Sequence, residues 1–363
     1  MIETLKLRPN QRLIAISDIH AHAALLHALL AQVHYCEDDA LVIVGDLLER
    51  GNEGLAVIRA VMELKKRNPD VRPLLGNWDY SMRRIIDEEN VALIWRYIGT
   101  KRRQNCNTIF SEMADECGIA LESEADVALF LPVIREKYSA ILEFLRALPV
   151  VLDTGDMIFV HGGIPDEDLD GLDGENIYRY LKNDEFYRED TCFSKTVIVG
   201  HIPTMNFRPE RQSANPFFDA RRNIIGIDGG CGIKRDGQLN ALIFRAGEFT
   251  FESVCDLPVI RALSDQQGSE GTVNSRYFDK VEIMNLEGPV AKIRHLPTGS
   301  ALWTTTDSIL RDETGFHSEA TDEVLNVSAG EEFFLVERTP RGILAKKDGV
   351  TGWYYGAWEP VQA

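Results

Sequence analysis

The chain has 363 residues, 44% of them hydrophobic and 26% charged, which is the make-up of an ordinary globular protein and excludes a disordered or fibrous one. Its 57 acidic residues against 39 Lys plus Arg leave a formal net charge of −18, and such a surface repels the phosphates of DNA and RNA. The length exceeds what a single core accommodates comfortably, so one large domain and a smaller one are expected.

Taken in order, residues 13–16 read as a buried strand that stops at Ser17-Asp18, and 23–33 carry leucines and alanines at helical spacing. Residues 40–44 are a second aliphatic run ending at Gly45-Asp46. The next helix is expected over 54–66 and a third strand over 71–75, ending at Gly76-Asn77. Continuous aliphatic runs mark strands buried on both faces, and the β-α-β-α-β order implies a layered α/β architecture. From about 80 to 148 the pattern is helical and charged, too long for a connection, and is read as a helical insertion or cap beside the site. Within it Lys101-Arg102-Arg103 is expected to be a solvated helix end, with phosphate recognition as its functional alternative. Strand-like runs return at 150–152, 157–160, 196–199, 223–227 and 239–244.

At 265–274 the composition shifts to Ser, Gln, Gly and Glu, as in a linker. Beyond it, β-prone pieces at 290–293, 332–337, 342–346 and 351–355 are separated by Gly, Pro and Asp, which suits a small all-β barrel or sandwich. The last forty or so residues resemble bacterial SH3-like modules. The expected division is therefore a domain over 1–264, a linker over 265–274 and a small β-rich domain over 275–363. The six cysteines are scattered without a C-x-x-C pair, so reduced thiols are expected. The N-terminus lacks a signal-peptide run and no stretch is long and apolar enough to span a bilayer, which points to a cytoplasmic protein without a membrane partner.

Ligands of open α/β sheets collect at the carboxyl ends of strands. There this chain places Asp18 and His20, Asp46, Asn77, His161 and His201. A lone His after a strand is ordinarily a capping or turn residue, but six ligand-type residues gathered at strand ends are not explained by turn chemistry. Imidazole mixed with carboxylate suits Mn, Fe and Zn. A carboxylate can bridge two cations, and a pair of cations about 3.5–4 Å apart can activate a water and clamp a phosphoryl group. Gly45, Gly76, Gly162, Gly163 and Gly200 allow the backbone to approach such a cluster closely.

Asp18-Ile19-His20, Gly45-Asp46-Leu47-Leu48-Glu49-Arg50-Gly51, Gly76-Asn77-Trp78-Asp79, His161-Gly162-Gly163 and Gly200-His201 resemble, in order, the motifs of calcineurin-like metallophosphoesterases. The Gly-Asp-x-x-acid-Arg-Gly form resembles the phosphoprotein phosphatase branch, which includes Ser/Thr protein phosphatases and symmetrical diadenosine tetraphosphatases. Gly200-His201-Ile202-Pro203-Thr204 and Ile227-Asp228-Gly229-Gly230-Cys231 look like its bacterial members. The resemblance spans roughly residues 12 to 255. It implies a metallophosphoesterase-type αββα sandwich with one metal held by Asp18, His20 and Asp46. A second would be held by Asp46, Asn77, His161 and His201, with Asp46 as the bridge. The implied pair is Mn, with Fe or Zn as alternatives. Arg50 would grip the substrate phosphate, and a metal-bridging hydroxide would attack phosphorus in line with the leaving oxygen.

The family's proton-donating His is replaced by Trp78, and the Asp that orients it by Glu49; Asp79 stands where the family has Glu. Trp has no titratable proton, so general acid catalysis from position 78 is excluded. The substrate then has a good leaving group, or His22 acts as a substitute acid instead of the exposed helix-start residue it resembles. Otherwise the protein binds phosphorylated ligands with little turnover, Trp78 serving as a stacking platform or as apolar filler. The candidate catalytic residues are Arg50, Asp46 and His22, and the candidate substrate contacts are Arg50, Trp78 and Asn77. The expectation is a metal-dependent phosphoesterase acting on a phosphorylated small molecule, nucleotide or phosphoprotein, the alternative being an attenuated phosphate-ligand binding or regulatory protein. Sequence leaves the oligomeric state open.

Overall fold

The computed structural model describes residues 1–104 and 106–361, which divide into two compact units. The first comprises Met1–Ile202 and Pro216–Val254. In it Leu13–Ile16, Ala40–Ile43 and Val71–Pro73 pair in parallel, as the aliphatic runs predict, and antiparallel Leu239–Arg245 and Glu248–Val254 complete a five-stranded sheet. The last two strands are joined by Ala246-Gly247, both at positive φ, the conformation that two-residue hairpin turns require. A second, six-stranded sheet runs in the order Ile2–Thr4, Val151–Asp153, Met157–Val160, Thr196–Val199, Ile224–Gly226 and Phe217–Asp219. The edge strand Ile2–Thr4, too short and polar to show in the sequence pattern, pairs in parallel with Val151–Asp153.

One core joins the two sheets. Leu13, Ala15, Val42 and Val44 of the first meet Leu152, Phe159, Ile198 and Ile225 of the second. Ile14, Ile16, Leu41 and Ile43, on the opposite face of the first sheet, are fully buried too, which accounts for the continuous hydrophobic runs. The helix Ala23–Gln32 packs on Leu239–Arg245 and Glu248–Val254 and against the helix Gly54–Arg67. The expected insertion is helical throughout, as Asn77–Asp87, Val91–Arg103, Ile109–Cys117, Glu124–Lys137 and Ser139–Ala147. Asn90, Thr108 and Ser123 cap three of these helices through their side chains. Among the described residues no helix is long and apolar enough to cross a membrane, and all six cysteines are free.

The second unit comprises Pro203–Asn215 and Cys255–Ala363, which corrects two boundaries. It begins before residue 265, because Val259–Ala262 is a sheet strand between Glu332–Thr339 and Trp358–Pro360. The segment expected to be a linker is held by bridges from Gln266 to Val327 and from Ser269 to Val324. One five-stranded antiparallel sheet surrounds Ile260, Phe333, Ile343 and Tyr354, and another surrounds Val281, Ala291, Ile293 and Leu302. The stretch Pro203–Asn215 belongs here because its backbone finds its partners here. Asn274 Nδ2 donates to the carbonyls of Met205 and Arg208, each at 2.9 Å, and Gln212 O accepts from Thr351 N at 2.9 Å.

Candidate metal centre

Five strand ends of the first unit carry the six ligand-type residues. Asp18 and His20 follow Leu13–Ile16, Asp46 follows Ala40–Ile43, and Asn77 opens the helix after Val71–Pro73. His161 and His201 follow the parallel pair Met157–Val160 and Thr196–Val199. Backbone strain collects at these turns. Of the thirteen non-glycine residues with positive φ among the described residues, seven are Asp18, His20, Ala21, Asp46, Glu49, Arg50 and His201. Left-handed backbone is unfavourable for such residues, so the fold sacrifices local stability to aim these side chains. Two glycines make room for them. A Cβ on Gly76 would collide with the Asp46 backbone nitrogen and Oδ1, and one on Gly200 with Ser17 Oγ and Asp18 Oδ2.

The side chains converge. One ligand atom from each of Asp18, His20 and Asp46 lies within 4.8 Å of the others. His161 Nε2 stands 3.3 Å from Asp46 Oδ2 and 3.1 Å from Asn77 Oδ1. The His161 and His201 rings are 5.3 Å apart, and His201 N donates to Asp18 Oδ2 at 3.0 Å. Hydrogen bonds set the imidazole tautomers. His20 Nδ1 donates to Leu48 O at 3.2 Å and His161 Nδ1 to Val44 O at 2.8 Å, which turns each Nε2 toward the carboxylates. His201 is turned the other way, with Nε2 donating to Asp184 Oδ1 at 2.9 Å and Nδ1 left as the ligand atom. Asp184 is an orienting partner that no sequence motif marks.

The donor set fits a cation. Asp18 Oδ1 and His20 Nε2 are buried and have no hydrogen-bond partner. Burial, reinforced by the Asp46 charge, pushes the Asp18 carboxyl up to about 7, and the same two causes push Asp79 up to about 7. Burial also raises Asp228 well above the carboxylate range, with Asp18 adding to it, and Asp228 Oδ2 is another buried oxygen without a partner. Burial lowers His20 to about 4, so its imidazole is neutral. Burial alone would depress His161, but Asp46 and Asp18 outweigh it and hold its imidazolium up to about 10. This cluster has more acceptors than positive charge, which is the deficit that cations supply.

Asp79 explains the motif that departs from the family pattern. It is fully buried at the start of the helix Asn77–Asp87 and accepts from Leu47 N at 3.0 Å, Leu48 N at 3.2 Å and Gly76 N at 3.1 Å. It thereby ties the Asp46 turn to the Asn77 turn. Asp79→Ala should leave three buried N–H groups unpaired and destabilise the fold by at least about 3 kcal/mol. Denaturant unfolding measures this, and a loss under about 1 kcal/mol would contradict the role.

The remaining candidates lie to one side of the cluster. Arg50 is exposed, with its guanidinium carbon 4.8 Å from the centre of the Trp78 ring. His22 is part-buried; its Nδ1 donates to Ile19 O at 3.2 Å, and it flanks Gly232 alongside Arg50. Glu49 is buried and accepts from Ile109 N at 3.1 Å and from the Tyr97 hydroxyl. Burial raises its carboxyl pKa. The solvated-end reading of the basic triplet fails for Lys101, which is 6% exposed with Nζ 5.8 Å from the Trp78 ring centre and 5.7 Å from that of Tyr97. Arg102 bonds Leu121 O at 2.7 Å and plays no part in the site. Lys101 and Tyr97 lay within a helix whose neighbours only the fold reveals.

A family profile described as calcineurin-like phosphoesterase matches residues 11–222. Shewanella-like protein phosphatase 2 of Arabidopsis thaliana is 24% identical over 195 residues, 46% of this chain and 50% of that protein. The symmetrical bis(5′-nucleosyl)-tetraphosphatase of Acidovorax sp. (strain JS42) is 29% identical over 157 residues, 42% of this chain and 44% of that protein. The chain thus spans about half the length of the curated relatives it matches. A solved structure provisionally described as a diadenosine tetraphosphatase has a TM-score of 0.45 at 19% identity, covering 70% of this chain and 98% of that one.

Proposed function

The chain belongs to the calcineurin-like phosphoesterase family, and we propose that it hydrolyses a phosphate ester or phosphoanhydride with the help of two cations held at the cluster above. Asp18, His20 and Asp46 would hold one, and Asp46, Asn77, His161 and His201 the other. The observation that carries the reading is the convergence of the buried Asp18, His20 and Asp46, with Asp18 Oδ1 and His20 Nε2 left without a partner. When bound, the cations supply Lewis-acid charge to the phosphoryl group and a nucleophile at neutral pH. The mixture of imidazole and carboxylate favours Mn, with Fe or Zn as alternatives.

The chain's own residues do the rest. Asp46 faces both halves of the ligand set and is held in place by Trp78 N, which donates to its Oδ1 at 2.9 Å. Leu48 O, Val44 O and Asp184 fix the three imidazoles in their ligand tautomers. Arg50, exposed and with its guanidinium hydrogen-bonded to none of the described residues, presents an open donor fork to the substrate phosphate. Trp78 supplies no proton, so the substrates that suit this site have leaving groups that depart without one. A second reading, a phosphate-ligand binding protein with little turnover, rests on the same Trp78.

Addition of Mn²⁺ to chelator-treated protein should raise the melting temperature and bring about turnover of p-nitrophenyl phosphate. Loading should release protons, since Asp18 at about 7 and His161 at about 10 carry them before a cation binds. Apparent Mn²⁺ affinity is therefore expected to weaken as pH falls from about 8 to 6. Turnover of several phosphorylated substrates that is indifferent to chelation would overturn the metal-dependent reading, and no turnover with any metal would leave the binding protein.

A further inference from the structure

Along the helix Val91–Arg103 the buried face is Ile94, Ile98 and Lys101, so a lysine holds a place in the apolar stripe. A lysine in such a stripe buries its apolar stem and carries its ammonium to the edge, where it commonly meets an acceptor. Among the described residues, however, Lys101 makes neither ion pair nor hydrogen bond, and its Nζ lies only at the outer range of cation–π attraction to Trp78 and Tyr97. Glu49 feels its charge, but the Glu49 oxygens are already taken by the Tyr97 hydroxyl and Ile109 N. Arg50 sits against the same indole, 4.8 Å from its centre, with its guanidinium equally without a hydrogen-bonding or ionic partner among the described residues. Two cations thus lie beside the Trp78 indole, and the carboxylate near them, Glu49, is committed to other partners. A single phosphoryl group needs one donor fork. A second, unpaired cation on the same indole offers contact to a further anionic group beyond the phosphoryl held by Arg50.

We propose that Lys101 is a specificity-determining residue that binds a second phosphoryl group next to the one held by Arg50. The substrates are then phosphoanhydrides, or esters carrying a further phosphate, in preference to simple monoesters. This rests on the phosphoesterase reading of the site and deepens it.

The test uses the full chain loaded with Mn²⁺, with p-nitrophenyl phosphate turnover inhibited by imidodiphosphate or by inorganic phosphate at fixed free Mn²⁺. Imidodiphosphate should inhibit at least about tenfold more tightly than phosphate. Lys101→Met should remove about tenfold of that preference, while changing phosphate inhibition by less than about threefold, and Lys101→Arg should retain it. Absence of the preference in the unmodified protein would overturn the proposal, as would its survival in Lys101→Met. Equal weakening of both inhibitors would overturn it too, since that is what a merely structural lysine produces. Should Lys101→Met fail to fold, reductive methylation followed by peptide mass spectrometry decides. Imidodiphosphate, but not phosphate, must shield Lys101, and equal labelling sinks the idea. If nothing is turned over yet imidodiphosphate still binds in a Lys101-dependent way, read by tryptophan fluorescence that Trp78→Phe abolishes, the hydrolase reading fails and this one stands.

Discussion

Asp46→Asn is expected to lower p-nitrophenyl phosphate turnover by roughly a thousandfold, about 4 kcal/mol of transition-state stabilisation, while leaving the fold intact. Asp46 is 2% exposed, and its Oδ2 faces His161 Nε2 at 3.3 Å and His20 Nε2 at 3.9 Å. Burial alone would raise its pKa, but His161, His20 and the Trp78 N–H outweigh it and hold the carboxyl below the usual range. It therefore keeps its charge without a cation, where Asp18 and Asp79, at about 7, are partly protonated. Asparagine retains an oxygen to accept from Trp78 N, so the turn between residues 46 and 78 survives. It removes the negative charge and the second oxygen, which are what a bridge between two cations needs. Metal analysis should show fewer bound ions together with the lost turnover, at a melting temperature close to that of the unmodified cation-free protein. Undiminished turnover in this variant would remove the site assignment itself.

Rates across a series of aryl and alkyl phosphates should fall steeply as the leaving group becomes more basic, by about 10²–10⁴-fold relative to an enzyme with a positioned acid. The surroundings of Trp78 are the reason. The Tyr97 ring lies 6.2 Å from that of Trp78, but burial and the Glu49 charge raise its pKa strongly and its proton is given to Glu49. His22 is held through Nδ1 by Ile19 O, so His22→Ala is expected to change rates by less than about threefold. Trp78→His should restore little, because the carboxylate that would orient a new imidazole is bound to Tyr97 and Ile109. A flat dependence on leaving-group basicity would show that an acid operates, and a large effect of His22→Ala would identify it.

Much of this could be read from sequence because the signals are local. A strand buried on both faces must be aliphatic along its whole length, so 13–16, 40–44, 157–160 and 196–199 announced themselves, with the candidate ligand residues beside them. The edge strand Ile2–Thr4 gave no such signal, because its residues are exposed or half-buried and its partner lies about 150 positions away at Val151–Asp153. The Ser, Gln and Gly composition of 265–274 looked like a linker, since bridges such as Gln266 to Val327 depend on backbone rather than side-chain type.

The sequence alone determined the layered α/β class of the first unit, the six metal-ligand candidates and the absence of an imidazole at position 78. Those follow from residue type and from periodicities of a few positions. Only the tertiary structure decided what surrounds Trp78 and how the ligands are aimed. The burial of Lys101 against Trp78, the capture of Glu49 by Tyr97, the triple backbone contact of Asp79 and the orientation of His201 by Asp184 all join distant segments. Their energies come from desolvation, and a side chain's desolvation is set by the whole fold rather than by its neighbours in the chain.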